Sequence, residues 1–136
     1  MGDEQKDLLK EDLKQERKVE RKRNKNEEQL IKNAILDYIL MFPSKGFAWS
    51  QYNGAVYYPF IGMYRKRHRH ARKGVPDICG VWGKDGKALL LEVKRPGGKV
   101  SPEQKRLLEE ARKLGAIAHV VYSLQEAMTI LDSFES

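Results

Sequence analysis

Residues 74–104 read GVPDICGVWGKDGKALLLEVKRPGGKVSPEQ, and the fold turns on how this stretch pairs with itself. The runs DICGVW and KALLLEVK flank Gly83-Lys84-Asp85-Gly86, a pattern that predicts two strands joined by a hairpin. A two-residue turn at Asp85-Gly86 pairs Lys84 with Lys87, and counting outward sets Asp77 opposite Lys94 and Cys79 opposite Glu92. Directly paired residues share a face of the sheet. Asp77, Glu92 and Lys94 then crowd one side, while Leu91 and Val93 take the other. A slip by two residues keeps this division; a three-residue loop breaks it.

Downstream, SPEQ supplies Ser at N-cap, Pro at N1 and Gln at N3, a capping box that opens a helix running to about residue 114 and stopped by Gly115. IAHVVY reads as a buried strand, and Ser123 with Glu126 caps a last helix through Leu131. Upstream, Leu30, Ile31, Ala34, Ile35, Tyr38, Ile39 and Phe42 recur at helical spacing from Glu27 until Pro43. GFAWSQYNGAVYYPFIGMY follows, aromatic and β-branched, and Asn53-Gly54 predicts a tight hairpin between two short strands. The run RKRHRHARK, residues 65–73, has no apolar period and reads as a loop. Residues 1–26 mix both signs of charge around only Leu8, Leu9, Leu13 and Val19; they form either a solvated helical extension or a disordered arm, followed by one domain over 27–136. The order predicts an α/β (α+β) domain, a hairpin-linked sheet flanked by helices, with the second helix crossing between neighbouring strands.

The chain has 136 residues, 40% hydrophobic, enough for one core. Charged residues make up 33% and the formal net charge is +7, which makes a polyanion the first partner to consider, nucleic acid before a membrane surface. The single cysteine, Cys79, excludes an internal disulfide, and no apolar signal segment is seen, so a reducing, cytoplasmic setting is expected. No apolar run approaches the roughly 18–20 residues of a bilayer span, so a soluble chain with no membrane partner is expected.

Two carboxylates held close repel unless something positive lies between them, and hard oxygen donors on a rigid hairpin suit Mg²⁺ or Mn²⁺. Phosphodiester hydrolysis needs such help, since enzymes must remove on the order of 8–23 kcal/mol of barrier. Lys94 would orient water and stabilise charge at phosphorus. The plainer alternative is a solvent-facing ladder of salt bridges, each worth about 0–1 kcal/mol.

GVPD, fifteen residues from Asp77 to the Glu92 of EVK, and then SPEQ together resemble the PD-(D/E)XK nuclease superfamily and, within it, the VRR-NUC domain, the virus-type replication and repair nuclease. The resemblance covers most of residues 27–131. It implies an αβββαβ core with a central mixed sheet, metal binding by Asp77, Glu92 and the main-chain carbonyl of Val93, and Lys94 as the catalytic lysine. It also implies a glutamine near the metal, matched by Gln104, and a glutamate early in the first helix. Glu27 and Glu28 both qualify for the latter; Glu28 shares the face of Ile31 and Ile35 and is the choice. Each has a structural alternative, Gln104 as the N3 cap and Glu28 as an acid offsetting the helix dipole.

The implied activity is a Mg²⁺-dependent DNA endonuclease, with Mn²⁺ able to substitute. By analogy with resolvase-like members that can dimerise, the expected substrate is branched DNA, Holliday junctions or flaps, in phage-type replication or repair, with a possible homodimer. Phosphate contact is assigned to Arg65, Lys66, Arg67, His68, Arg69, His70, Arg72 and Lys73, and to Arg95 and Lys99 beside the catalytic strand. Rival readings are a non-catalytic basic nucleic-acid-binding module and a restriction-type sequence-specific enzyme. Trp49, Tyr52, Tyr57 and Tyr58 are expected in the sheet core rather than stacked on bases, and His119 and Cys79 are expected to be packing residues.

Overall fold

The computed structural model describes residues 2–51, 56–60, 62–65 and 69–134. A single helix, α1 (Asp3–Leu40), carries the charged N-terminal segment and the amphipathic segment without a break. It is followed by β1 (Gly46–Ser50), β2 (Val56–Tyr58), β3 (Met63–Arg65), β4 (Ile78–Trp82), β5 (Lys87–Val93), α2 (Pro102–Lys113), β6 (Ile117–Val121) and α3 (Leu124–Ser133). Strands β1, β4, β5 and β6 form one mixed sheet in that order, with β1–β4–β5 antiparallel and β5–β6 parallel. The β2–β3 pair is a separate two-stranded ribbon. With the ribbon and α3 set aside, α1–β1–β4–β5–α2–β6 runs αβββαβ, and α2 makes the crossover that parallel neighbours require.

The periodicities explain the layers. Ile35 and Ile39 of α1 bury against Ile78, Trp82, Leu89, Leu91 and Val93, with Ile117, Val121, Ala127 and Leu131 completing the cluster. These strand residues alternate, so α1 and α3 cover one face of the sheet. Trp82 is buried to 1% and its indole N–H donates to the Leu131 carbonyl at 3.0 Å, which locks α3 to β4. Leu107 and Leu108 of α2 are buried against the opposite face. Leu30, at 70% exposure, lies off the buried stripe of α1 on which its spacing had placed it.

Two strand-level expectations are corrected. Ile78 pairs with Leu91 and Trp82 with Lys87, a slip of two from the predicted register, because the loop is four residues long: Gly83 to Gly86 are all turn, and the Gly86 N–H donates to the Gly83 carbonyl at 3.0 Å. Both glycines have positive φ, 83° and 65°, a backbone that only glycine adopts easily. An even slip leaves each side chain on its predicted face. The second correction concerns β1, which pairs with β4 and not with β2. Hydrogen bonding to a central strand outweighs the local turn signal of Asn53-Gly54, a dipeptide outside the described residues.

Candidate active site

Where β4 begins and β5 ends, the antiparallel pairing brings residues 77 and 92–94 together, and the N-terminus of α2 closes over them. Asp77 precedes β4, and its Oδ2 accepts the Val93 N–H at 3.1 Å. That bond ties the aspartate to the end of β5. Glu92 is 3% exposed, the buried charged residue of the core, and its Oε1 accepts from Gln104 Nε2 at 2.8 Å. Lys94 Nζ stands 3.5 Å from the same oxygen, with its side chain 16% exposed. Glu92 Oε2 is buried with no hydrogen-bond partner.

Gln104 does both things its position allows. Its Oε1 accepts the Ser101 N–H at 2.9 Å while its own N–H donates to Ser101 Oγ at 3.1 Å, so the capping box is complete. The amide N–H₂ is thereby turned toward Glu92. The helix start and the orientation of the buried carboxylate are one device.

The electrostatics follow from burial. Desolvation, and then the negative charge of Asp77, push Glu92 from its ordinary 4.5 up to about 8, against the opposing pull of Lys94. Cys79, buried and donating weakly from Sγ to the Pro76 carbonyl at 3.7 Å, has its thiol pKa raised by desolvation and then by Asp77 and Glu92. Its burial fits the packing role expected of it. His119 is half-buried, and burial and then the Arg112 charge lower its pKa, so it is the neutral packing residue expected.

Each carboxylate thus has one oxygen fixed by the protein, Asp77 Oδ2 by Val93 and Glu92 Oε1 by Gln104 and Lys94. Among the described residues no hydrogen-bond donor meets the remaining Glu92 oxygen. Among the described residues no cluster of three His, Cys, Asp or Glu side chains suits a metal ion. Two carboxylates nonetheless fit Mg²⁺, which keeps several waters and is commonly held by one or two carboxylates together with substrate phosphate. The residues present fit such an ion.

A cleft of about 180 Å³ opens beside Asp77 and is lined by Lys25, Glu28, Gln29, Lys32 and Val93. Glu28 therefore reaches the site, and its Oε1 also accepts a long 3.5 Å bond from the Arg95 N–H; Glu27 is exposed. Arg95 is half-buried and Lys99 exposed on the loop after β5. Of the basic run, Lys66, Arg67 and His68 lie outside the described residues. Arg65 ends β3, Arg69, His70 and Lys73 are exposed, and Arg72 is ion-paired with Glu110 of α2. Trp49 departs from the core expectation: it is 48% exposed and stacks on Phe47 at 6.2 Å, since α2 leaves this edge of the sheet uncovered.

The sequence reading passed over Gly74. Its φ is +81°, and a Cβ there would lie 2.6 Å from the Glu103 carbonyl carbon and 2.8 Å from the Gln104 nitrogen. The chain leading to Asp77 rests directly on the first turn of α2, and the G of GVPD is the only signal of it. Lys32 was passed over because the helix from Glu27 was read for its packing face, and Lys25 because residues 1–26 were read as a solvated helical extension or a disordered arm.

The family model for the VRR-NUC domain matches residues 23–125. Over 58 residues the chain is 43% identical to "Fanconi-associated nuclease 1" of Danio rerio, a match covering 42% of this chain; the chain spans only 6% of that curated relative. A solved structure described as "VRR_NUC domain" superposes with a TM-score of 0.55 at 22% identity, covering 79% of this chain and 97% of that one. That likeness establishes the fold.

Proposed function

The chain belongs to the VRR-NUC domain family, and from that premise we propose that it is a divalent-metal-dependent DNA endonuclease of the PD-(D/E)XK type. The observation that carries this is the buried Glu92 carboxylate, anchored through one oxygen, unpartnered at the other, and close to Asp77. A purely structural ion pair would satisfy both oxygens. The nuclease name of the zebrafish relative supports the same reading.

Asp77, Glu92 and the Val93 carbonyl would hold Mg²⁺ or Mn²⁺. A divalent ion there supplies positive charge to the phosphoryl oxygen and lowers the pKa of water. The chain's own residues do the rest. Lys94, held beside Glu92 and still partly open to solvent, donates to the attacking water and to the oxygen on which charge develops. Gln104 and Val93 keep the two carboxylates oriented, so no reorganisation is required when the phosphate arrives. Exposed Arg69, Lys73 and Lys99, with the rest of the basic loop, supply phosphate contacts.

The substrate is branched DNA, such as a four-way junction or flap, and a two-fold dimer would present two sites to two symmetric strands. Incubating labelled junction, flap, nicked and linear DNAs with Mg²⁺ or Mn²⁺ tests this. Cleavage of branched species ahead of linear duplex is the expected result. Equal cutting of all four would remove the structural preference, and no cutting of any would remove the activity.

A further inference from the structure

The cleft beside Asp77 is lined by Lys25 and Lys32, and the helix that bears them continues well beyond the sheet. Lys14, Lys18, Arg21 and Lys25 follow one another at spacings of four, three and four residues, and Lys32 comes two turns later. Such spacing keeps them on one side of a helix. Glu28, also in the cleft, sits between Lys25 and Lys32 on the same line. The stripe is not a set of internal salt bridges: among the described residues none of the five makes an ion pair. Lys14, Lys18, Arg21 and Lys25 are exposed and Lys32 is half-buried at the cleft.

We propose that this stripe of α1 is a rail for the DNA backbone, leading a duplex arm from the solvent-exposed end of the helix into the cleft at Asp77. The inference rests on the nuclease reading and adds a binding surface to it. At 1.5 Å per residue the rail from Lys14 to Lys32 is about 27 Å long, with its first four cations rising by about 5–6 Å each and Lys32 standing about 10 Å beyond Lys25. Duplex DNA carries a negative charge about every 1.7 Å of axis, so a rail of this length faces roughly eight base pairs. Local composition agrees, since residues 17–25 contain Arg17, Lys18, Arg21, Lys22, Arg23 and Lys25 against Glu20 alone. Farther out the same line carries Lys10 together with Asp3, Asp7 and Glu11, so its net charge turns acidic toward the start of the helix. Contact therefore weakens beyond Lys14. The opposite side of the helix, with exposed Leu9, Leu13 and Val19, has no such alignment with the site.

The test compares two full-length variants of equal charge: Lys18→Gln/Arg21→Gln/Lys25→Gln on the rail, and Arg23→Gln/Lys84→Gln/Lys113→Gln off it. Affinity for a 30-base-pair duplex and for a four-way junction is measured in EDTA across 50–200 mM salt, with sedimentation of each protein. Losing three phosphate contacts should reduce the log–log salt slope by about 2.7, so that the affinity lost across this range shrinks by roughly 40-fold. The off-rail variant should keep the wild-type slope. Equal slopes in both variants, while wild type binds and cuts DNA, would overturn the rail and leave the nuclease reading standing. Wild type that neither binds nor cuts would bring down both. A rail variant that changes only its sedimentation would show that α1 meets another protein chain, and would likewise overturn the proposal.

Discussion

Replacing Glu92 by glutamine should make the metal-free protein more stable and leave it unable to cut DNA. A carboxyl whose folded pKa is raised from 4.5 to about 8 favours the fold while it is protonated. Its burden is absent below the unfolded value near 4.5 and grows as pH rises toward 8. At about 1.36 kcal/mol per pH unit, the ionised group destabilises the metal-free fold by up to about 4 kcal/mol at pH 8. Glutamine removes that burden. Its Oε1 can still accept from Gln104, and its Nε2 takes the place of the unpartnered oxygen and can donate to Asp77. For a chain of this size the gain corresponds to an increase in Tm on the order of 5–15 °C. Thermal melts in EDTA at pH 8 and pH 5 read it directly, and the gap at pH 5 should fall to about 1 kcal/mol or less. Mg²⁺ should raise the Tm of wild type at pH 8 but not that of Glu92→Gln. A variant melting at or below wild type at pH 8, or a gap that does not change with pH, would refute the reasoning.

Gln104→Glu keeps an acceptor for the Ser101 N–H but sets a second carboxylate against Glu92 where a 2.8 Å donor now stands; metal-free stability at pH 8 should fall by about 1–3 kcal/mol, with a large loss of cleavage rate. Unchanged melting and rate together would remove Gln104 from the site. Gly74→Ala, strained at positive φ and pressed against the α2 backbone, should lower stability by about 1–3 kcal/mol in a denaturant titration and reduce activity with it. Neutralising Arg65, Lys66, Arg67 and Arg69 to glutamine should flatten the salt dependence of DNA binding yet leave kcat at saturating DNA near wild type, because binding shared by ground and transition states affects KM alone. A fall in saturated turnover with binding intact would place the loop in the chemical step.

The hairpin's face assignment was legible in the sequence because side-chain alternation survives an even slip. The register was not, since Gly83 and Gly86 can serve a two-residue or a four-residue loop equally well and only the folded chain decides. SPEQ announced the α2 start, but that the capping amide also holds Glu92 depends on how closely α2 packs on β5, which no local pattern encodes. The pairing of β1 with β4 across the intervening ribbon is likewise non-local, and it overrode a good turn dipeptide. The cleft cations escaped notice for a different reason. Helical periodicity was read for apolar residues alone, and Lys25 and Lys32 matter only once α1 lies beside Asp77.

Single-turnover cleavage of a labelled four-way junction by wild type and Asp77→Asn, each with Mg²⁺ and with EDTA, tests the central claim most directly. Asparagine keeps an oxygen to accept from the Val93 N–H and removes the charge a cation needs. The account predicts cutting by wild type only with the metal, and no cutting by Asp77→Asn even where its affinity for the junction in EDTA matches wild type. Cutting that persists in EDTA, or in Asp77→Asn at the wild-type rate, would contradict it.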